Sequence, residues 1–328
     1  MTAITRRRFL RGSLHTLGAA AVAAEMRAAR AAQERSSLGA AGVAAARYSS
    51  ETQISGTDLL PSDPGAVTLL QGAGCNVVAA RGPEGSLLVD GGLAAHSSAL
   101  LHAAAAATGS SRVATLIDTH WHPSQTGSNE SVGRAGGVII SHEVTRLYLE
   151  RAALSTCYEG SYGPLPRIAW PTKTTRDRDS IEFAGQRVDY VYLPAAHTNG
   201  DLYVHFPEWN LIVAGGPVSA EGWPILDIRN GGWVGGLVQA HETLAALAKP
   251  ETRIVPASGR LLTGALVARQ RDMYRQLFKQ LFVYLNKGYG PSDVIAARPL
   301  AAYEAQYGDP AHFLDGAYRS LFLAYVPD

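Results

Sequence analysis

Two histidines stand two residues apart in Asp118-Thr119-His120-Trp121-His122-Pro123-Ser124-Gln125-Thr126-Gly127, directly after the apolar run Val113–Ile117. On an extended segment residues two apart point to the same side, so His120 and His122 can address one metal ion together. A third histidine, His197, follows the run Gln186–Leu193 in Leu193-Pro194-Ala195-Ala196-His197-Thr198-Asn199-Gly200-Asp201. Loops just past strand ends are where an α/β scaffold builds its sites. Three imidazoles around one ion, with a fourth position open, form the donor set of a catalytic zinc centre. Asp118 and Asp201 are the nearest carboxylates by sequence, and both suit a place behind the imidazoles better than direct proton transfer.

The other histidines carry no such spacing. His142, in Ser141-His142-Glu143, reads as a helix start, and His96, His102, His205, His241 and His312 read as surface or core residues. No Gly-rich phosphate loop follows a strand. Ser124 lacks the Gly-x-Ser-x-Gly strand-turn-helix setting of an activated serine, so it is not read as a nucleophile.

The elements that must position these residues alternate along the chain. Val67–Leu70, Asn76–Ala80, Ser86–Val89, Val113–Ile117 and Val138–Ile140 are short apolar runs bounded by turns, which predicts strands. Gln186–Leu193, Leu202–Phe206, Leu211–Ala214 and Arg253–Val255 predict more of them, while 96–108, 143–153 and 235–247 read as helices. Strands and helices in this alternation indicate α/β layers. Towards the C-terminus Tyr274, Leu277, Phe278, Leu281, Phe282 and Leu285 recur at three- and four-residue spacing, a helical stripe with Thr263 as its cap and Gly288 as its stop. Further helices are expected from Pro291 to Ala297 and from about 311 to 323. Such a stripe covers a core, or else forms a dimer face or a cleft wall. Trp121, Trp223 and Trp233 either line a cleft or simply pack.

The order of these motifs resembles the metallo-β-lactamase-fold hydrolase superfamily. Thr119 to Gly127 matches that family's T-H-x-H-x-D-H-x-G except that Ser124 stands for Asp and Gln125 for His. Ala196 to Asp201 meets A-H-T-x-G-D. Upstream, Asn76 and Leu87-Leu88-Val89-Asp90-Gly91-Gly92 are similar to the family's first strands, with Asp90 as a supporting carboxylate. Gly215-Gly216 stands where the family has Gly-Asp with a metal-bridging Asp, and Val255-Pro256-Ala257-Ser258-Gly259 stands for Val-Pro-Gly-His-Gly. The resemblance runs from Ala66 to Leu262, and segments around 297–299, 307–308 and 318–319 are similar to the tails of a subgroup. It implies an αββα sandwich, two mixed β-sheets flanked by helices, with a C-terminal helical extension.

The departures fall together. Ser124, Gln125, Gly216 and Ser258 remove the ligands peculiar to the second metal and the bridge, while His120, His122 and His197 keep the first site. Two dications about 3.5–4 Å apart, without carboxylates between them, repel by roughly 20 kcal/mol at an effective dielectric near 20. The choice is therefore one zinc ion or none. One zinc on three neutral histidines implies a hydrolase of a small ester- or lactam-like substrate. The coordinated losses imply instead a non-catalytic member of the fold, a binding protein or a partner of an intact paralogue.

The chain has 328 residues, a formal net charge of +1 and an apolar fraction of 46%. Charge is spread without a basic block, which gives nucleic-acid binding no support. No apolar run is long enough to span a bilayer. The N-terminus reads Thr5-Arg6-Arg7-Arg8-Phe9-Leu10-Arg11, then a weakly apolar stretch from Ser13 to Ala24. Adjacent arginines before Phe-Leu resemble a twin-arginine signal, which implies a periplasmic or otherwise exported protein. The alternative is an amphipathic helix that stays on the chain. The expected organisation is a signal over 1–32, a linker over 33–60, the metallo-β-lactamase-type domain over 61–262 and the helical extension over 263–328. Cys75 and Cys157 could pair in an oxidising compartment, but read more simply as buried, inert thiols.

Overall fold

A computed structural model describes residues 53–157 and 161–325. The twin-arginine segment and most of the expected linker lie outside these residues. The last residues of that linker stretch do more than connect: Ser55–Asp58 is strand β1, the exposed edge of a sheet. It pairs antiparallel with β2 (Val67–Gln71), Ser55 opposite Gln71 and Asp58 opposite Thr68. Ser-Gly-Thr-Asp has no apolar alternation, so only its neighbour makes it a strand.

Strands β3 (Val77–Ala80), β4 (Ser86–Val89), β5 (Val113–Ile117) and β6 (Val138–His142) continue this sheet. A small hairpin, β7 (Ala153–Leu154) with β8 (Ser161–Tyr162), stands apart, and β9 (Lys173–Thr175) completes a seven-stranded sheet in the order β1-β2-β3-β4-β5-β6-β9. The second sheet runs β10 (Arg178–Phe183), β11 (Gln186–Leu193), β12 (Asp201–Phe206), β13 (Leu211–Gly215), β14 (Arg253–Pro256) and β15 (Leu262–Thr263), in chain order. Both sheets are mixed: β4, β5, β6 and β9 are parallel neighbours in the first, and β13 with β14 in the second.

Period-two alternation explains how the sheets pack. In β3 and β4, Val78, Ala80, Leu87 and Val89 point into a core shared with Val188, Tyr190, Leu202, Val204, Phe206 and Val213 of the other sheet. The alternate residues Val77, Ala79 and Leu88 point outward onto Leu100 and Ala104 of α1 (Ser97–Thr108). Strands buried on both faces read as continuous apolar runs, which is why they were legible. Helices α2 (Pro123–Thr126), α3 (Asn129–Arg134) and α4 (Glu143–Leu149) follow β5 and β6. His142 starts α4 as expected, its Nδ1 accepting the Val144 N–H at 3.2 Å.

On the outer face of the second sheet, Ala240 and Leu244 of α5 (Val234–Leu247) and Val267 of α6 (Gly264–Asn286) cover Ile212 and Ile254. Thr263 caps α6 through the Leu266 N–H. Then come α7 (Pro291–Ala296), α8 (Glu304–Tyr307) and α9 (Ala311–Tyr325). The stripe residues Tyr274, Leu277 and Leu281 are buried against Val234, Leu237, Phe313, Leu314 and Leu321, so the extension is a helical layer with its own core. Among the described residues no helix is long and apolar enough to cross a membrane.

Candidate metal site

The loops after β4, β5, β11, β13 and β14 meet at one end of the sandwich, tied across the sheets by backbone hydrogen bonds. Leu202 N–H donates to Thr119 O at 2.7 Å and Asn76 N–H to Ala257 O at 2.8 Å. Asp90 accepts the Thr119 N–H at 2.8 Å and the Thr119 hydroxyl at 3.0 Å. Gly127 lets the loop after β5 close on this corner: a Cβ there would lie 2.1 Å from Ala94 N and 2.4 Å from Gly92 O.

His120, His122 and His197 converge. Their ring centroids are 4.7–4.8 Å apart and the rings stand nearly perpendicular to one another, at 81–90°. Their ligand atoms all fall within 4.8 Å of each other. Each ring is fixed on its outer side. The Thr119 hydroxyl lies 3.1 Å from His120 Nδ1, Asp227 Oδ2 lies 2.9 Å from His122 Nε2, and Ile225 O lies 2.6 Å from His197 Nδ1. A carbonyl only accepts, so His197 carries its proton on Nδ1, and His122 in the tautomer that donates to the Asp227 carboxylate carries its proton on Nε2. That leaves the lone pairs of His122 Nδ1 and His197 Nε2 facing each other 3.0 Å apart. Two lone pairs at that distance repel unless a cation sits between them, so the arrangement fits a metal ion.

Electrostatics agree. Burial, then the neighbouring imidazoles His197 and His122, push His120 well below the ordinary histidine range. Burial likewise brings His122 down to about 4 despite the Asp227 hydrogen bond. Both rings are neutral near pH 7, the form that binds metal.

The carboxylate that touches a ring is Asp227, which sequence reasoning did not single out. Burial would raise it, but the His122 N–H, the Thr156 N–H and the Ser155 hydroxyl outweigh that and hold it below the usual carboxylate range. Thr156 N and Oγ1 reach Oδ1 at 2.9 and 2.8 Å, and Ser155 Oγ and Asn230 Nδ2 each reach Oδ2 at 2.8 Å. An anion held by neutral donors is a stable support for His122. Asp227 lies in irregular chain 105 residues from His122, with no spacing signal to mark it.

The two aspartates singled out from the sequence act on backbone and neighbours rather than on ring nitrogens. Asp201 closes its own loop, accepting from His197 N at 2.6 Å, Thr198 N at 2.8 Å and Thr198 Oγ1 at 2.7 Å. Burial lifts it to about 6. Asp118 accepts from Asn129 Nδ2 at 2.8 Å and, being buried, is raised well above the usual range. Neither carboxylate side chain contacts an imidazole nitrogen through these bonds. Asp90 reaches His120 through Thr119, and burial lifts it to about 7.

The positions of the lost ligands are closed or turned away. The Ser124 hydroxyl donates to Gln125 Oε1 at 2.6 Å, and both residues are buried. Ser258 is exposed. A Cβ on Gly216 would lie 2.2 Å from His197 Cδ2, so the imidazole packs directly on the backbone where an Asp side chain would begin. Of the tryptophans named from the sequence, Trp121 is buried edge-on to His122 at 4.7 Å and against Tyr148 and Tyr162. Trp223 stacks on Phe313, and Trp233 packs on Phe278 in the helical layer. Cys75 and Cys157 are buried and form no disulfide. Cys157 is nonetheless not isolated from the site, as its sulfur stands with His122 and Asp227.

The family model described as "Metallo-beta-lactamase superfamily" matches residues 70–257. Among solved structures, a metallo-beta-lactamase from Pontibacter korlensis is 19% identical, with a TM-score of 0.54, covering 68% of this chain and 99% of that one. The DIM-1 metallo-beta-lactamase is 13% identical, with a TM-score of 0.53, covering 68% of this chain and 97% of its own. At such identities the likeness is one of fold. No curated protein matches. The matched span exceeds half of the chain and holds all three converging histidines, and the chain belongs to the metallo-β-lactamase superfamily.

Proposed function

We propose that this protein is an exported hydrolase that works with a single zinc ion held by His120, His122 and His197. The observation that carries the reading is the convergence of the three buried rings, with His122 Nδ1 and His197 Nε2 3.0 Å apart and every outer ring nitrogen anchored. Bound there, zinc supplies Lewis acidity and lowers the pKa of water to about 7. The chain's own part is to hold His120 and His122 neutral and all three rings oriented. While the trio holds the ion, Asp227 accepts the N–H of His122 Nε2, Ile225 O keeps the His197 proton on Nδ1, and Thr119 steadies His120. Trp121, Tyr148 and Tyr162 form an apolar wall beside His122 that limits water. A small ester- or lactam-like molecule suits a site of this kind. Export rests on the twin-arginine-like N-terminus alone.

A second reading is a fold member without turnover, a binding protein or partner of an intact paralogue. What favours it is access: His120 is 1% exposed, His122 0% and His197 7%, a narrow way in for a substrate. Metal content of the mature protein, with turnover on ester, thioester, lactam and phosphoester panels against a His120→Ala control, separates the two. One zinc per chain with turnover above the control supports the hydrolase. One zinc without turnover supports the binding role, and no zinc removes the first reading.

A further inference from the structure

His122 belongs to two buried donor sets. One is the histidine trio; the other is His122, Cys157 and Asp227, whose ligand atoms also lie within 4.8 Å of one another. All three residues are buried, His122 and Asp227 completely so. A neutral imidazole has one lone pair, on whichever nitrogen lacks the proton. His122 can therefore serve only one set at a time.

We infer that His122, Cys157 and Asp227 form a second metal position, used in alternation with the three-histidine one and selected by the His122 tautomer. With the proton on Nε2, the ring donates to Asp227 at 2.9 Å and offers Nδ1 to the trio. With the proton on Nδ1, it donates to His197 Nε2 at 3.0 Å and offers Nε2 to the ion beside Asp227. Both tautomers thus have a hydrogen-bond acceptor already in place for the proton they keep. The same ring pose serves both positions, with no side-chain rotation of His122.

The chemistry of the second set differs. A thiolate and a carboxylate neutralise a divalent ion, whereas three imidazoles leave its charge uncompensated within the ligand set. A neutral complex is the cheaper one to bury. Thiolate also favours a soft or borderline ion such as zinc, cobalt or cadmium. The proton balance is explicit. Binding releases the Cys157 thiol proton to solvent, and His122 gives up its Nε2 proton while taking one at Nδ1. At Asp227 Oδ2 the ion replaces the His122 N–H. The Ser155 hydroxyl, also bonded to that oxygen, still has the Cys157 N–H at 2.9 Å as a partner.

Cobalt(II) reports thiolate ligation directly through a sulfur-to-cobalt charge-transfer band in the near ultraviolet, independent of turnover. The full chain is loaded with cobalt as wild type, His120→Ala, Cys157→Ser and the double variant. The expected result is that His120→Ala, deprived of the trio, binds one cobalt with a strong sulfur band. Cys157→Ser removes that band but keeps cobalt on the histidines, and the double variant binds none. Cobalt bound by His120→Ala without the sulfur band, or not bound at all by a folded His120→Ala, overturns the inference. Failure of the three-histidine reading looks different: His120→Ala then leaves the wild-type cobalt spectrum unchanged, sulfur band included. A band that survives in Cys157→Ser assigns it to Cys75 and also overturns the inference.

Discussion

The retained and the lost halves of the loop cluster are built differently. In the retained half every histidine has one nitrogen tied to a residue outside the trio, Thr119, Asp227 or the Ile225 carbonyl. In the lost half the residues satisfy one another or nothing nearby: Ser124 bonds Gln125, Ser258 faces solvent, and Gly216 presents only backbone. The difference teaches that the second position was not merely emptied of ligands. His197 has settled onto the Gly216 backbone, so the retained half occupies room that a bridging Asp would need.

The sharpest way to break this contrast is to remove a retained ring. In a Cys157→Ser background, where only the trio can hold an ion, His197→Ala should take metal content from one ion per chain to none, measured by elemental analysis after gel filtration. His205→Ala, a half-buried histidine on β12, should leave metal content unchanged. Equal metal in both variants would mean the trio is not where the ion binds.

Removing a support should act less strongly than removing a donor. Asp227→Asn is expected to weaken metal binding about 10–100-fold, the usual effect of losing a carboxylate behind a ligating histidine. Competition against a chromophoric chelator measures it. An unchanged affinity would reduce Asp227 to an anchor for the 155–156 turn, whose Ser155 and Thr156 it also holds.

Restoring the lost half should fail for a steric reason. Gly216→Asp must displace the His197 ring, and overpacking of that kind costs about 1–3 kcal/mol. Urea unfolding should show that loss, with metal content no higher than one ion per chain. A variant that gains a second ion at undiminished stability would show that His197 yields easily and that the two halves are not in competition.

The fold and the trio were legible because both have local signatures. Doubly buried strands read as continuous apolar runs, and a His-x-His pair after a strand has one geometric meaning. What escaped had no local signature. β1, β9 and β10 are polar and edge-like, made strands by their neighbours rather than by their own pattern. Asp227 and Cys157 come from irregular loops, and they meet His122 only because the chain returns past the site after β13 and after α4. Asp118 and Asp201 stand close to the histidines in sequence, and their hydrogen bonds go behind the rings, to Asn129 and to the 197–198 backbone. Nearness along the chain says little about which carboxylate a ring will face once loops from two sheets converge.

A buried histidine outside the trio gives the smallest and cleanest contrast. His241 of α5 is fully buried, its Nδ1 bonded to Leu237 O at 2.9 Å and its ring edge-on to Tyr274 at 4.8 Å. Burial pushes it down to about 4, against the Leu237 O hydrogen bond and the neighbouring Gln270 side chain, which favour the charged form. Unfolded, it titrates near 6.5. Below that pH the unfolded chain takes up a proton that the folded chain refuses until pH about 4. Its contribution is therefore present above about 6.5 and lost as pH falls from there towards 4. Between about pH 7 and pH 5.5 the loss amounts to about 1 kcal/mol. Asp90 and Asp201, raised to about 7 and about 6, act in the opposite sense, because the folded chain holds their protons longer as pH rises. Only the difference between wild type and His241→Gln isolates the histidine, and in urea unfolding at the two pH values that difference should shrink by this amount towards acid. A pH-independent difference would mean His241 accepts a proton as readily folded as unfolded. It would then be no guide to the imidazoles of the trio, which share its burial but differ in having a cation to receive.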